Sequence, residues 1–327
     1  MTFVKRISQT MTWVGGIAGA VSVAATVHAA YPDRPVTLVH GFGAGGNADT
    51  VARLMAAELE KRLGQPFVVE SRTGAGGTIA SAHVAKATPD GYTLVLLTGG
   101  HTASAAMRKS LPYDPVNDFA MVSTVTEFPF VIAVSASSPH QTLAELLRHA
   151  QQPGQKPVTF SSVGVGSTQH LTGELLAAAG KANMLHVPYR GGGAPVVAVM
   201  SGDVDVLVDT ATVAGSHIKS GNLRALAVTS GETWPELPDV PPAAKTLPGF
   251  EVMSWLGIAA PANTPPEVIN KLNATLREIL ADEGVKAKLA GLGSATAYSS
   301  PDNMRQRIDN DIRQWRKVVA DAGIEVQ

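Results

Sequence analysis

The chain has 327 residues, 45% of them hydrophobic and 16% charged, enough to bury a sizeable core and, at ~150 residues per domain, to form two domains. Its formal net charge is −1; Lys5 and Arg6 are the only charges before Asp33, and removing them from the 26 basic residues leaves 24 against 27 acidic, or −3, which argues against a basic nucleic-acid surface. With no cysteine, disulfides, thiolate metal sites and a Cys nucleophile are excluded.

Residues 1–29 read as a signal peptide. Lys5 and Arg6 form a basic start, residues 11–27 are apolar and small, and Val27-His28-Ala29 offers a small-residue cleavage pattern. The mature chain is expected to begin at Ala30 or Tyr31, in the periplasm. An uncleaved anchor is the alternative, although the apolar run is near the lower limit for a bilayer core of ~30 Å. The basic start has no Arg-Arg pair, so export before folding fits better than export with a cofactor loaded.

From Pro35 the pattern is strand then helix, repeated. A strand at 36–40 leads through glycines into a helix from Asn47 to about 63. A strand at 67–70, a second glycine turn at 74–77 and a helix to about 87 follow. Pro89-Asp90-Gly91 is a turn, and 92–98 is a buried strand. Alternation of this kind predicts parallel sheets with helices on both faces. A strand at 131–134 ends in loop-like 135–139, where the chain is expected to pass between two lobes.

The second series runs from a helix at 142–151 to a strand at 158–161, a glycine loop at 162–167 and a helix at 168–179. Strand 184–187, the turn at 188–193, a helix to 200, strand 204–208, helix 213–219 and strand 223–228 complete it. The proline-rich stretch 231–248 reads as a loop returning to the first lobe, which strand 252–259 is expected to rejoin. Helices close the chain at about 265–280, 283–289 and 301–322, the last stopped by Gly323.

The stretch 36–49, VTLVHGFGAGGNAD, is the element around which the rest is arranged. Strand, bare-backbone loop and helix start aim unpaired N–H groups and a helix dipole at one spot, which suits a carboxylate or phosphate. Gly41, Gly43 and Gly46 also satisfy G-x-G-x-x-G, with Glu70 where a dinucleotide fold places its ribose acid. An exported protein would meet little NAD, however, and Gly45-Gly46 followed by Asn47 and Asp49 leaves a wider mouth. A plain tight turn is the bland alternative.

In the second loop Gly164 and Gly166 keep side chains away while Ser162, Ser167 and Thr168 can offer hydroxyls. Ser167 could equally serve only as a helix N-cap. A hydrolase reading would join Ser167, His170 and Asp209, but no G-x-S-x-G elbow is present and i, i+3 neighbours rarely align in a triad. The nine histidines show no metal-ligand spacing; His40, His101 and His170 should face the cleft, though each could be structural. Arg190 could clamp a carboxylate or lie exposed. Asp209 could bind a ligand amine or hydroxyl, or cap the helix after it.

Ten ordered motifs then add a resemblance over nearly the whole mature chain. YPDRPVTLV, GGNAD with VAR, VVESRTGAGGTIA, PDGYTL, SVGVGSTQHL, HVPYRGG, GDVDVLVD, LRALAVTS, LPDVP and APANTP together resemble the Bug-type periplasmic receptors of tripartite tricarboxylate transporters. The resemblance implies an α/β fold of the two-lobed, type II periplasmic-binding-protein (Venus-flytrap) kind, each lobe a mostly parallel sheet flanked by helices. Lobe one would comprise 30–132 and 252–327, and lobe two 133–251. The implied contacts are Phe42, Gly43, Gly45, Gly46, Asn47 and Asp49; Thr98, His101 and Thr102; Ser162, Gly164, Gly166, Ser167, Thr168 and His170; Pro188, Tyr189, Arg190 and Gly191; and Asp209.

The expected ligand is a small carboxylate and the expected partners are transporter membrane subunits, with a receptor that feeds a signalling sensor as an alternative. No cofactor, metal or catalytic group is expected, and the protein should be monomeric. Departures from the family pattern are His40 for an aliphatic, Gly41 and Gly43 for proline or alanine, Ser71 and Thr73 for Asn and Pro, and Lys245 for Glu.

Overall fold

The computed structural model describes residues 31–326, and Thr2 before them; the expected signal peptide and its cleavage site lie outside the described residues. The first unit follows the expected alternation. β1 (Val36–His40) leads into α1 (Asn47–Leu63), and β2 (Phe67–Ser71) into a short 3-10 turn and α2 (Thr78–Val84). Val51, Met55 and Leu59 recur at helical spacing on the buried face of α1, and Gly64 ends the helix in the left-handed region by donating its N–H to the Glu60 carbonyl. β3 (Thr93–Thr98) runs directly into α3 (Gly99–Met107), a helix absent from the sequence expectations because its Gly99-Gly100 start reads as a break.

β4 (Phe119–Ser135) is 17 residues long, not the short strand at 131–134 that was expected. Its residues are buried almost throughout, so no alternation marks it, and Pro129 in its middle reads as a stop. α4 (Leu143–Ala150), β5 (Val158–Ser162), α5 (Thr168–Gly180), β6 (Met184–Pro188), α6 (Ala194–Ser201), β7 (Val206–Thr210), α7 (Ala211–Lys219) and β8 (Leu223–Val228) follow. After the proline-rich loop come β9 (Met253–Pro261), α8 (Pro266–Ala281), α9 (Glu283–Gly291), β10 (Ala295–Thr296) and α10 (Pro301–Asp321), with Gly323 at positive φ beyond it.

The strand order is β2-β1-β3-β9-β4-β7-β5-β6, with β8 and β10 also on β4. The strands alternating with helices pair in parallel: β1 with β2 and β3, β5 with β6 and β7. The antiparallel pairs all involve β4 or β9, so the sheet as a whole is mixed. β9 rejoins the first strands, lying between β3 and β4.

β4 pairs with β9 over Phe119–Pro129 and with β7 and β8 from Phe130 onward. The change of partner thus falls inside a strand, not in the loop at 135–139. Thr229, fully buried, fastens this junction. Its hydroxyl accepts from the Phe130 N–H (2.8 Å) and donates to the Val252 carbonyl (2.7 Å), while its own N–H donates to the Phe130 carbonyl (2.9 Å).

Candidate functional site

Four helices begin at the C-terminal ends of strands around one cavity, and they begin differently. Thr98 caps α3 by accepting from the Gly100 N–H, and Ser167 caps α5 by accepting from the His170 N–H. α1 starts at Gly46 and α7 at Thr210 with no side-chain cap. Their first-turn N–H groups therefore retain donor capacity.

The cavity between them measures about 40 Å³, several times the ~10–15 Å³ one water requires. Gly46, Asn47 and Ala48 bring the α1 terminus to it, Thr168 and Gln169 the start of α5, and Asp209 and Thr210 the start of α7. Phe42, Phe128, Phe130, Val163, Val213 and Leu256 give it apolar walls, and Thr98, Ser254 and Gly192 fill the remaining sides. No lysine, arginine or histidine is among the lining residues. An anion held here would be held by backbone dipoles and neutral groups.

Asp209 is buried, and its Oδ1 accepts from the Thr210 N–H (2.8 Å) and from Gln169 Nε2 (3.3 Å). Its Oδ2 and the Thr210 hydroxyl have no hydrogen-bond partner. Burial pushes the carboxyl up to about 6, against the pull of the Thr210 N–H, of Gln169 and of the Thr210 hydroxyl beside it.

Of the residues singled out in sequence, Phe42, Gly46, Asn47, Thr98, Thr168 and Asp209 line this cavity. Gly43 and Gly191 instead meet each other in an isolated parallel bridge, joining the first glycine loop to the turn after β6. The closeness depends on bare backbone at Gly192, where φ is +66° and an added Cβ would stand 2.7 Å from the Ala44 carbonyl oxygen. The Asn47 side chain also bridges outward, accepting from the Thr212 hydroxyl of α7 (2.8 Å).

Asp49 faces away from the cavity into a brace. Its carboxylate receives the Gly45 N–H (3.0 Å) and Arg53 (2.9 Å), and lies 3.2 Å from His40 Nε2. His40 is fully buried and its Nδ1 accepts from the Phe42 N–H (3.4 Å), while the Ser71 hydroxyl donates to the Phe42 carbonyl (2.7 Å). Two positions that depart from the family pattern, His40 and Ser71, therefore hold the same residue. Gly41 departs for a steric reason: an added Cβ would stand 2.4 Å from Gly77 Cα.

Several other expected contacts do not line this cavity and have partners within the protein. His101 Nε2 donates to the Pro115 carbonyl (2.8 Å), the ring stacks on Tyr113, and burial holds it at about 4. Thr102 donates to the Gly99 carbonyl. Ser162 bonds His186 Nε2 (2.6 Å) and receives the Gly164 N–H. His170 accepts from the Gly166 N–H (3.2 Å) and stacks on His186, and burial lowers His186 to about 3. The Gly166 carbonyl accepts from Ser104. Pro188 and Arg190 are exposed and Tyr189 packs against the core beside β7 and β8; none of the three lines the cavity.

The triad alternative is not assembled. Ser167 Oγ meets the His170 backbone N–H, not its ring, and Asp209 is bonded to Gln169. Glu70 forms an ion pair with Arg72 at 2.7 Å. Among the described residues no group of three or more His, Asp or Glu side chains could hold a metal ion.

Sequence reasoning missed Gln169, Thr210 and Ser254, and the walls Phe128, Phe130 and Leu256. The first two adjoin expected residues. The walls lie in β4 and β9 and carry no signal that separates a cavity wall from ordinary core.

Residues 51–324 match the family model of the tripartite tricarboxylate transporter family receptor. The chain belongs to that family. It is also similar in structure to Rpa4515 of R. palustris solved with adipate, with 34% identity, a TM-score of 0.87, and coverage of 90% of this chain and 99% of that one. MatC from Rhodopseudomonas palustris with bound malate gives 35% identity and a TM-score of 0.84 over 88% of this chain and all of the other. The periplasmic binding protein BugD gives 34% identity and 0.86 over 91% of this chain and 100% of its own. The fold is accordingly that of the periplasmic binding proteins of this type.

Proposed function

We propose that the protein is an extracytoplasmic solute receptor that closes two lobes on a small carboxylate and presents it to the membrane subunits of a tripartite tricarboxylate-type transporter. The observation that carries this reading is the uncapped α1 terminus opening on a cavity without a cationic side chain. A carboxylate supplies the cap that α1 lacks, at the positive end of the helix dipole. The carboxylates named with two relatives, adipate and malate, support the ligand class.

The lobes in this reading meet at Pro129–Phe130 and again between Thr229 and Val252, a boundary slightly earlier in β4 than residue 132. Closure brings Gly43 against Gly191 and encloses the ligand. A leader at 1–29 would deliver the chain to the periplasm, where it works as a monomer without a cofactor. No chemical step is assigned, since no nucleophile, base and acid converge on the cavity.

Native mass spectrometry of the protein as purified, followed by a thermal-shift screen against small carboxylates including adipate and malate, tests the reading. A carried-over acid, or a carboxylate that raises the melting temperature, is the expected result. Bound nicotinamide, or ester turnover that disappears in Ser167→Ala, would overturn it in favour of an exported enzyme.

A further inference from the structure

Within the cavity Asp209 is the single ionisable lining residue. Its Oδ2 is buried without a partner, and so is the hydroxyl of Thr210 next to it. The Thr210 hydroxyl stands close enough to pull on the Asp209 carboxyl but makes no hydrogen bond of good geometry with it, so an acceptor and a hydroxyl remain open to a third group. A ligand hydroxyl can donate to Asp209 Oδ2 while accepting from Thr210 Oγ1. A ligand ammonium can donate to both.

The opposite requirement, a second carboxylate, finds no counter-charge. The lining has no basic side chain, and the start of α7 already faces the Asp209 carboxylate, which accepts the Thr210 N–H. A second anionic end placed there would meet a like charge at low dielectric.

Resting on the receptor reading above, we infer that the preferred solute is a monocarboxylate bearing an O–H or N–H donor on a neighbouring carbon, and that Asp209 with Thr210 selects for that donor. The carboxylate caps α1, the donor meets Asp209, and the hydrocarbon part lies among Phe42, Phe128 and Phe130. At neutral pH a carboxyl at about 6 is mostly ionised and so acts as an acceptor.

Calorimetric titration with matched sets decides the matter: propionate, lactate and alanine; isovalerate, hydroxyisovalerate and valine; phenylpropionate, phenyllactate and phenylalanine; with succinate and adipate as dianions. In at least one set the hydroxy or amino acid should bind the unaltered protein at least about tenfold more tightly than its parent acid and than either dianion. Asp209→Ala should then bring the members of that set to within about threefold of one another, the loss expected when a buried hydrogen-bonding partner is removed.

Parent acids or dianions binding as tightly as the donor-bearing acids would overturn the inference and leave the receptor reading standing, as would a preference that survives in Asp209→Ala. If that variant does not fold, the comparison on the unaltered protein still decides. No binding by these acids at millimolar concentration, while the screen above finds another carboxylate, would remove the inference alone; no binding by any carboxylate screened would remove both.

Discussion

In the first glycine loop α1 begins at Gly46 with no side-chain cap, whereas in the second Ser167 caps α5 through the His170 N–H. Both loops follow a strand, run through glycines and open a helix, and both are braced from behind by histidine. In the first, His40 and Asp49 hold Phe42 and Gly45; in the second, His186 and His170 hold Ser162 and Gly166. The same local design thus leaves one helix terminus open to an anion and satisfies part of the other internally. Across the cavity the start of α7 also lacks a side-chain cap, but the Asp209 carboxylate stands against it.

Separating the loops should have the largest effect. Gly192→Val would drive a side chain into the Ala44 carbonyl and force apart the Gly43–Gly191 contact. Affinity for the tightest carboxylate found by screening should fall by about two orders of magnitude, ~3 kcal/mol at 1.4 kcal/mol per decade, as read by calorimetry. Retained affinity would show that the closed contact does not matter for binding.

Acidification tests the buried histidines. His40, His101 and His186 are all held below the ordinary histidine value, chiefly by burial. A histidine depressed in the fold takes up its proton more readily when unfolded, so stability is full above the unfolded value near 6.5 and is lost as pH falls toward the folded one. For His101, at about 4, the loss between roughly pH 6.5 and pH 5 is about 1.5 kcal/mol. Asp209, raised by burial to about 6, works in the opposite sense and offsets part of this. Urea melts across that range should show stability dropping, with a shallower drop in His101→Gln.

Exchanging the caps sharpens the comparison most directly. Gly46→Ser gives α1 the kind of cap α5 has; a side chain there would meet the Gly43 carbonyl at 3.3 Å, tight but not blocked. Stability without ligand should rise by about 0.5 kcal/mol, and affinity should fall about fivefold as the hydroxyl competes with the ligand for the same donors. Ser167→Ala should cost about 1 kcal/mol of stability and alter affinity by less than about threefold, because the donor it frees is not the one the carboxylate uses. An affinity change larger in Ser167→Ala than in Gly46→Ser would reverse the assignment of the two jaws.

Most of the alternation was legible in sequence because apolar runs, glycine turns and amphipathic helices each carry their own period. β1, α1 and β8 begin and end where the residue pattern places them. β4 was not legible along its first half, since burial on both faces removes alternation and Pro129 imitates a terminus. α3 was hidden by its two leading glycines. The glycine loops flank the cavity, but which of the neighbouring polar residues line it was not readable. Asp49, His101 and His170 differ from Asp209 only in which way the fold turns them, and Phe128 and Leu256 look like any buried strand residue until the cavity beside them is seen.

The 17-residue strand β4 has one more consequence, which concerns cooperativity. Its first half is hydrogen-bonded to β9 and β10 and its second half to β7 and β8. Melting either set of strands strips bonds from a segment that the other set also needs, and Thr229 shares its bonds between the two at their meeting point. Residues 31–326 therefore have no cheap way to unfold by halves. If the proposed closure bends the chain at Pro129–Phe130, the bend falls in a strand that is bonded along its length, so neither half need pass through a loosened state.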